Sequence, residues 1–464
     1  MYYATQTGTA ESFAQQLERE SADQGFHISI EDMEEMELED MKKHPPFGSD
    51  DESSENNNCR VVVLAATYGE GEPTDNSTVI VEEMKDYVAD DEKSNALNGV
   101  DFCVFGLGNR QYEHYNAMGK FFDSSIEKLG GKRIVPLGLG DDDNDLEGDF
   151  ETWKEQLWVE LRKKYCKDAV LPVKNEDGHK LPECEYEIEY HSSSTSPKKI
   201  ALDKIHGSSR PYFTSFDCPV KASRELRSPQ DGGSTLHVEI DVSKRLTYQT
   251  ADNLGVLPLN NDEVVESVAK SLGFDLDAVF SLKAAPNHEW HGDPFPMPIS
   301  TRECLTRYLD LTSAPRRSDL KLLVQYAKDP IDRKALLRLS SKEGKKEYKE
   351  KITEGYVGMV ELLKFCPSLD IPLEHFISVC HFLLPRFYTI ASSSSVHPKE
   401  VHLTVAITQD QRKDGSIFNG VCSTHLSRLA ESKADTVRVF NRPSTFRLPD
   451  ESTRPIIMLS LIHI

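Results

Sequence analysis

The chain has 464 residues and a formal charge of −23 from 77 acidic against 54 basic residues. That length predicts roughly three domains of ~150 residues, and the acidity excludes a long nucleic-acid tract, which needs clustered Lys and Arg, while favouring basic protein partners. The nine cysteines are scattered with no close pair at ligand spacing, so no metal site and a reducing compartment are expected; no run approaches the ~20 apolar residues of a bilayer span, and no signal peptide is expected.

Met1-Tyr2-Tyr3 leads into Thr5-Gln6-Thr7-Gly8-Thr9-Ala10-Glu11 and a helix expected over Ala10–Asp23. A hydroxyl-rich loop between strand and helix cradles a phosphate without positive charge. Backbone N–H groups and the helix N-terminus form the concavity, Thr5, Thr7 and Thr9 add donors, and Gly8 lets the chain turn. A triphosphate loop would end in Gly-Lys-Ser/Thr, and no Lys stands here. FMN is the ligand this points to, with an ordinary Thr-rich helix cap as the alternative. Only three residues precede Ala4 and the loop, where a central strand of about 5 is usual, so the natural start is expected upstream.

His27–Ile30, Arg60–Ala66, Phe102–Gly106 and Arg133–Leu137 read as buried parallel strands, each followed by a helical segment. This predicts a doubly wound α/β unit whose ligands sit beyond the carboxyl ends of the strands. Between Glu31 and Asn58, 11 acidic residues face only Lys42 and Lys43, which reads as a disordered surface insertion. Three segments end on the same rim: Ala66-Thr67-Tyr68-Gly69-Glu70-Gly71, Gly106-Leu107-Gly108-Asn109-Arg110-Gln111-Tyr112 and Gly138-Leu139-Gly140-Asp141-Asp142-Asp143. A flavin wants aromatic plates on its faces and backbone polar groups along its edge. Tyr68 and Tyr112 can be the plates, and Gly69 leaves its peptide free to reorient beside the ring. The acidic run Asp141, Asp142, Asp143, Asp145, Glu147 and Asp149 borders this rim. It reads either as a solvated helix start or as a negative collar that steers a basic partner.

Residues 166–207 are polar and aperiodic and read as a hinge. Thr235–Val242 and Leu254–Pro258 read as strands, Asn261–Leu384 as a largely helical block, and Phe387–Ala391, Val401–Ile407 and Val437–Phe440 as strands again. A helical block interrupting a β domain is the economical reading. In Arg386-Phe387-Tyr388-Thr389, Arg386 offers a fork of donors to a diphosphate, Tyr388 an aromatic face and Thr389 a hydroxyl. In Gly420-Val421-Cys422-Ser423 a helix opens toward phosphate.

Residues 1–165 resemble the FMN domain of the diflavin reductases. Ala66–Asn76 and Tyr112-Glu113-His114-Tyr115-Asn116-Ala117-Met118-Gly119-Lys120 are most similar to the branch that reduces cytochrome P-450. Arg386–Ser393 and Gly420–Leu426 resemble the two elements of a ferredoxin-reductase-like FAD barrel, and Pro294–Pro298, Tyr308–Thr312, Cys366–Leu369 and Phe446–Pro449 extend the likeness over nearly the whole chain. The resemblance implies that Thr5, Gln6, Thr7, Gly8, Thr9 and Ala10 hold the FMN phosphate, that Tyr68 and Tyr112 flank the ring, and that Leu107, Gly108 and Asn109 line its edge. Ala66, Thr67, Gly69, Gly71, His114, Tyr115, Asn116 and Asp142 belong to the same site. Arg386, Tyr388, Thr389, Gly420, Val421, Cys422 and Ser423 would hold FAD, with Thr389 catalytic. Leu384-Pro385-Arg386 runs straight into Phe387-Tyr388, where the family usually places four more residues, and Thr389 replaces the commoner Ser.

The implied layout is a flavodoxin-like FMN domain at 1–165, a hinge at 166–207, an antiparallel FAD β-barrel in two parts at 208–260 and 385–458, a helical connecting domain at 261–384, and a tail at 459–464. Arg454–Met458 reads as the strand before a nicotinamide-binding turn, and Leu459-Ser460-Leu461-Ile462-His463-Ile464 in its place reads as an artefact of sequence assembly, the alternative being a genuine shortened isoform. The expected parent is a monomer that passes electrons from NADPH through FAD and FMN to a basic haem protein of cytochrome P-450 type, docked on Asp141, Asp142, Asp143 and Glu147. By family it belongs on the cytosolic face of the endoplasmic reticulum membrane; the chain as it stands, without an anchor, would be cytoplasmic. This chain is expected to bind FMN, to bind FAD weakly, and not to oxidise NADPH. A sister reductase serving methionine synthase or sulfite reduction, and a non-catalytic acidic docking module, are the alternatives.

Overall fold

The computed structural model describes residues 1–43, 59–69, 71–166, 181, 184–192, 209–228, 230, 232–243, 245–286, 288, 290, 292–431, 436–444 and 453–455. Glu70, residues 44–58 of the expected insertion, most of the hinge, Phe446–Pro449 and the tail lie outside the described residues. Residues 31–43, expected to be part of that disordered insertion, are instead ordered, because Met33, Met36, Leu38 and Met41 are buried in the core between the acidic residues. The chain divides into two compact units, Met1–Pro182 with Arg316–Tyr348, and Glu183–Pro315 with Lys349–Ile464.

The first unit is built on strands β1 (Tyr2–Ala4), β2 (Glu31–Asp32), β3 (Cys59–Tyr68), β4 (Glu72–Pro73), β5 (Val100–Gly108), β6 (Lys132–Arg133) and β7 (Gly138–Asp141). The order is β2-β1-β3-β5-β6, with β7 continuing beside β5 and every pair parallel except the short β3–β4 hairpin. Helices α1 (Thr9–Ser21), α2 (Thr78–Ala89) and α3 (Ala117–Lys128) make the crossovers, and α4 (Leu146–Tyr165) follows β7 and packs on the sheet. Along β5 the side chains alternate between two cores. Phe102 and Val104 face Ile80, Met84 and Phe122, whereas Cys103, Phe105 and Leu107 face Phe13, Phe150 and Trp153. Phe13 stacks on Phe150 at 4.1 Å between centroids, and each such fully buried ring contributes about 2–3 kcal/mol by removal from water.

Two expected strands form differently. Over His27–Ile30 the alternation serves packing, since Phe26, Ile28 and Ile30 lie against the core, but ladder pairing begins only at Glu31. Around Arg133–Leu137 pairing is confined to β6 and β7. Pro136 has no N–H to give the ladder, and its carbonyl accepts from Trp153 Nε1 at 3.1 Å instead. The helices Arg317–Leu323 and Pro330–Ser340, read by sequence within the connecting block, cluster with this first unit.

The second unit contains β8 (Tyr186–His191), β9 (Phe216–Glu225), β10 (Thr235–Asp241), β11 (Asn253–Leu257), β12 (Val279–Ala284), β13 (Ile299–Ser300), β14 (Arg386–Thr389), β15 (Glu400–Ala406), β16 (Gln409–Gln411), β17 (Ile417–Asn419) and β18 (Thr436–Arg442). Six strands run antiparallel in the order β14-β11-β18-β9-β10-β15. Just past β14, Ala391 N–H donates to His402 O at 2.8 Å, which joins the first strand of that order to the last and closes the barrel. Val238, Ile240, Leu254, Val256, Leu403 and Val439 fill it, and the helix Val421–Glu431 contributes Leu426. A separate sheet pairs β13, β12 and β8. β8 falls inside the stretch expected to be a hinge. Its alternation of Tyr186, Ile188 and Tyr190 with glutamates is a strand signal that the polar composition around it conceals.

Candidate functional site

In the first unit the loop after β1 is held open by a residue from another rim loop. Asn76 Oδ1 accepts from Thr5 N at 3.0 Å, while Asn76 Nδ2 donates to Tyr3 O and Asp32 Oδ1 at 3.3 and 3.0 Å. Gly8 takes φ 81° at the N-cap of α1, a conformation that suits glycine. Among the described residues nothing accepts from the backbone N–H groups of Gln6, Thr7, Gly8 or Thr9. Thr5 Oγ1 and Gln6 Nε2 are buried without a partner. Unpartnered buried polar atoms are costly, and here they line a cradle of donors, the chemistry a phosphate requires. Ala10 is buried in the core beneath it.

The other rim loops place the remaining residues. Tyr68 and Tyr112 are 48% and 63% exposed, unusually open for aromatic side chains beside a buried sheet. Thr67 Oγ1 accepts from Met118 N at 3.2 Å and ties the end of β3 to α3. Gly69 and Gly71 have φ of 51° and 95°, and a Cβ on Gly71 would come within 2.7 Å of His114 Cβ, so His114 packs directly under this turn. Asn116 is fully buried at the start of α3, with Nδ2 donating to Gly140 O at 2.9 Å and Oδ1 unpartnered. Gly108 abuts its backbone. Tyr115 donates to Leu139 O at 3.2 Å, Leu107 is buried, and Asn109 Oδ1 accepts from Gln111 N at 2.9 Å.

The acidic run does not form one solvated face. Asp141 is buried, accepts from Arg110 N at 3.0 Å and pairs with Arg110 Nε at 3.2 Å. Asp145 caps α4 through Gly148 N at 3.2 Å and pairs with Arg317 at 3.2 Å and Lys345 at 3.1 Å. Glu147 accepts from the backbone and guanidinium of Arg317 at 3.1 and 3.4 Å, and burial pushes its carboxyl above the usual range. Of the four residues expected to dock a partner, Asp142 and Asp143 remain exposed.

In the second unit Arg386 Nη1 donates to Leu384 O at 2.6 Å, and no carboxylate pairs with it among the described residues. Tyr388 lies against Cys422. Burial, then the neighbouring Cys422, raises the phenol, and burial lifts the Cys422 thiol to about 11, so its side chain is a core group. Thr389, exposed at the end of β14, donates to Asn253 Oδ1 at 3.0 Å. Gly420 N donates to Thr408 O at 2.8 Å, and Ser423 Oγ accepts from Thr408 N at 3.1 Å, which fixes the turn before the helix Val421–Glu431. Thr424 Oγ1 is buried without a partner. The free guanidinium donors, the helix start and this hydroxyl fit a diphosphate. Asn76 and Asn253, which orient the two loops, were not singled out in the sequence; Asn76 stands in the quoted Ala66–Asn76 segment, but neither asparagine has a local pattern that reveals its partner.

Residues 1–153 match the flavodoxin family and residues 211–425 match the FAD binding domain family. The chain is 36% identical to the NADPH–cytochrome P450 reductase of Homo sapiens over 99% of its own length and 66% of that protein's. It is 35% identical to that of Rattus norvegicus with the same coverage, and 33% identical to that of Salmo trutta over 99% of this chain and 71% of the relative. The chain belongs to the diflavin reductase family. It spans 66% of the mammalian relatives' length. The family's two flavins correspond to its two matched domains, FMN to the flavodoxin and FAD to the barrel. No helix among the described residues is long and apolar enough to cross a membrane.

Proposed function

We propose that this chain holds FMN in its first unit and FAD in its second, as part of a reductase that carries electrons from NADPH to a haem protein of the cytochrome P450 type. The observation that carries the reading is the cradle of Gln6–Thr9 N–H groups with Thr5 Oγ1 and Gln6 Nε2 buried and unpartnered beside two exposed tyrosines. When bound, the two flavins supply hydride acceptance and one-electron delivery. The chain's own residues bind and orient. Thr5–Ala10 would take the FMN phosphate, Tyr68 and Tyr112 the ring faces, and Leu107–Asn109 the ring edge, with Ala66, Thr67, Gly69, Gly71, His114, Tyr115 and Asn116 shaping the rim. Arg386 and the Val421–Ser423 amides would take the FAD diphosphate. Tyr388 would take its ring, and Thr389, aimed by Asn253, would present a hydroxyl at the ring edge.

Docking charge falls to Asp142 and Asp143, joined by exposed Glu72 and Glu113 on neighbouring rim loops. Asp141 and Glu147 instead hold the rim's own framework. A monomer on the cytosolic face of the endoplasmic reticulum membrane completes the proposal, on the family's account. The test is photoreduction of the purified flavoprotein followed by mixing with oxidised cytochrome P450. Haem reduction that slows in Tyr112→Ala supports the reading, and a protein that purifies without flavin and takes up neither FMN nor FAD overturns it.

A further inference from the structure

The barrel carries a cluster of imidazoles and carboxylates that the flavin chemistry does not use. β10 and β15 pair so that Glu239 lies opposite His402 and His237 opposite Thr404. Residues two apart on a strand share a face, so His237, Glu239, Glu400 and His402 stand together, and His397 joins them from the turn before β15. The rings of His237 and His402 are 5.1 Å apart at 78°, and those of His397 and His402 are 4.3 Å apart. His237 Nε2 lies 3.3 Å from Glu239 Oε1. His402 Nε2 is buried without a hydrogen-bond partner, with Glu400 Oε2 at 3.6 Å, beyond a normal hydrogen bond. One ligand atom from each of His237, Glu239 and His402 falls within 4.8 Å of the others, as does one from each of His397, Glu400 and His402.

We infer that His237, Glu239 and His402 form a binding site for a first-row divalent cation, best suited to Zn²⁺. Two neutral imidazoles and one carboxylate are a borderline-hard set that Zn²⁺ accepts in tetrahedral geometry with water as the fourth ligand. The second triplet is the weaker set, because its carboxylate, Glu400, is already taken by an ion pair with Lys221. A cation here would replace the missing partner of His402 Nε2 and bridge β10 to β15. His402 also belongs to the barrel closure, with its carbonyl accepting from Ala391 N and its N–H donating to Ser392 Oγ at 3.1 Å. The ion would therefore fasten the seam where the strand bearing Tyr388 and Thr389 meets the far edge of the sheet.

Nothing local in the chain marks this site, since His402 stands 165 residues from His237 and only the antiparallel register joins them.

The test is titration of the purified, flavin-loaded protein with Zn²⁺ against a chromophoric chelator, and with Co²⁺ followed by its visible d–d absorption. The expected result is one tight site per chain. His402→Gln and His237→Gln, which keep size and polarity, should each weaken it at least about tenfold, while His288→Gln, a histidine away from the cluster, leaves it unchanged. Far-ultraviolet circular dichroism establishes that the variants are folded. No saturable site, or a site of unaltered affinity in folded His237→Gln/His402→Gln, overturns the inference; loss only on His397→Gln or Glu400→Gln also overturns it by assigning the ion to the other triplet.

Discussion

Replacing Gly108 by Ala separates loss of the FMN site from loss of stability. The added Cβ would stand 2.8 Å from Asn116 N, 3.1 Å from Asn116 Cγ and 3.3 Å from Asn116 Cα, all inside the ~3.5 Å of favourable contact. Two of those atoms are backbone, and Asn116 is itself held at φ 54° with its amide on Gly140 O. The clash cannot be relieved by rotating a side chain, so the rim between Asn109 and Asn116 must move. Overpacking of this kind costs about 2 kcal/mol, which, taken from the bound state, lowers FMN affinity about 30-fold. Gly99→Ala is the control. Gly99 has φ 83° but nothing within 4 Å of the added Cβ, so it loses about 1 kcal/mol through backbone conformation and leaves the rim untouched. Affinity is read by quenching of flavin fluorescence and stability by urea unfolding. Equal FMN affinity for Gly108→Ala and Gly99→Ala would refute the reasoning.

Arg317→Ala should destabilise the protein by about 3 kcal/mol, the low end for breaking a buried pair because Asp145 and Glu147 keep side-chain exposures of 21% and 20%; adding Glu147→Gln should recover part of that in urea unfolding. Burial raises Glu147 above its unfolded value, so its contribution is fully present below the ordinary carboxylate range near ~4.3 and is lost as pH rises through the raised value. The Arg317→Ala deficit should accordingly shrink on acidification, and a deficit that grows would contradict the assignment. Asp142→Asn/Asp143→Asn should slow haem-protein reduction in stopped flow at ~0.1 M salt and converge with the parent near ~1 M, where the screening length falls to about 3 Å. Asp141→Asn should instead lower the unfolding midpoint. In the intact reductase, Thr389→Val should keep FAD yet slow its reduction by NADPH at least about tenfold, measured by bleaching of flavin absorbance.

Tyr68 and Tyr112 stood out only through the separate rim loops that carry them, whereas local chemistry made the Thr5–Ala10 loop and the Arg386–Thr389 element legible as candidates, because each is contiguous and each residue type has a narrow use. The parallel core was legible for the same reason, apart from the two places where ladder bonding departed from apolar alternation, at His27–Ile30 and around Pro136. What could not be read was anything fixed by distant partners. Asp141 and Glu147 look like surface acids in the chain, yet Glu147 is claimed by Arg317, 170 residues away, and Asp141 turns inward onto Arg110. β8 was missed because a short amphipathic strand is outweighed by the polar residues around it. The histidines of the barrel seam met only through cross-strand pairing.

The central claim is that the first unit grips a flavin by its phosphate tail and its ring at separate places. Titrating flavin-free protein with FMN and with riboflavin tests it most directly, by following quenching of flavin fluorescence in the parent, Thr5→Val and Tyr112→Ala. The account predicts saturable binding of one FMN, at least tenfold weaker binding of riboflavin, and a Thr5→Val variant that loses this preference while Tyr112→Ala keeps it. Equal affinity for the two ligands, or no saturable binding of either, would contradict it.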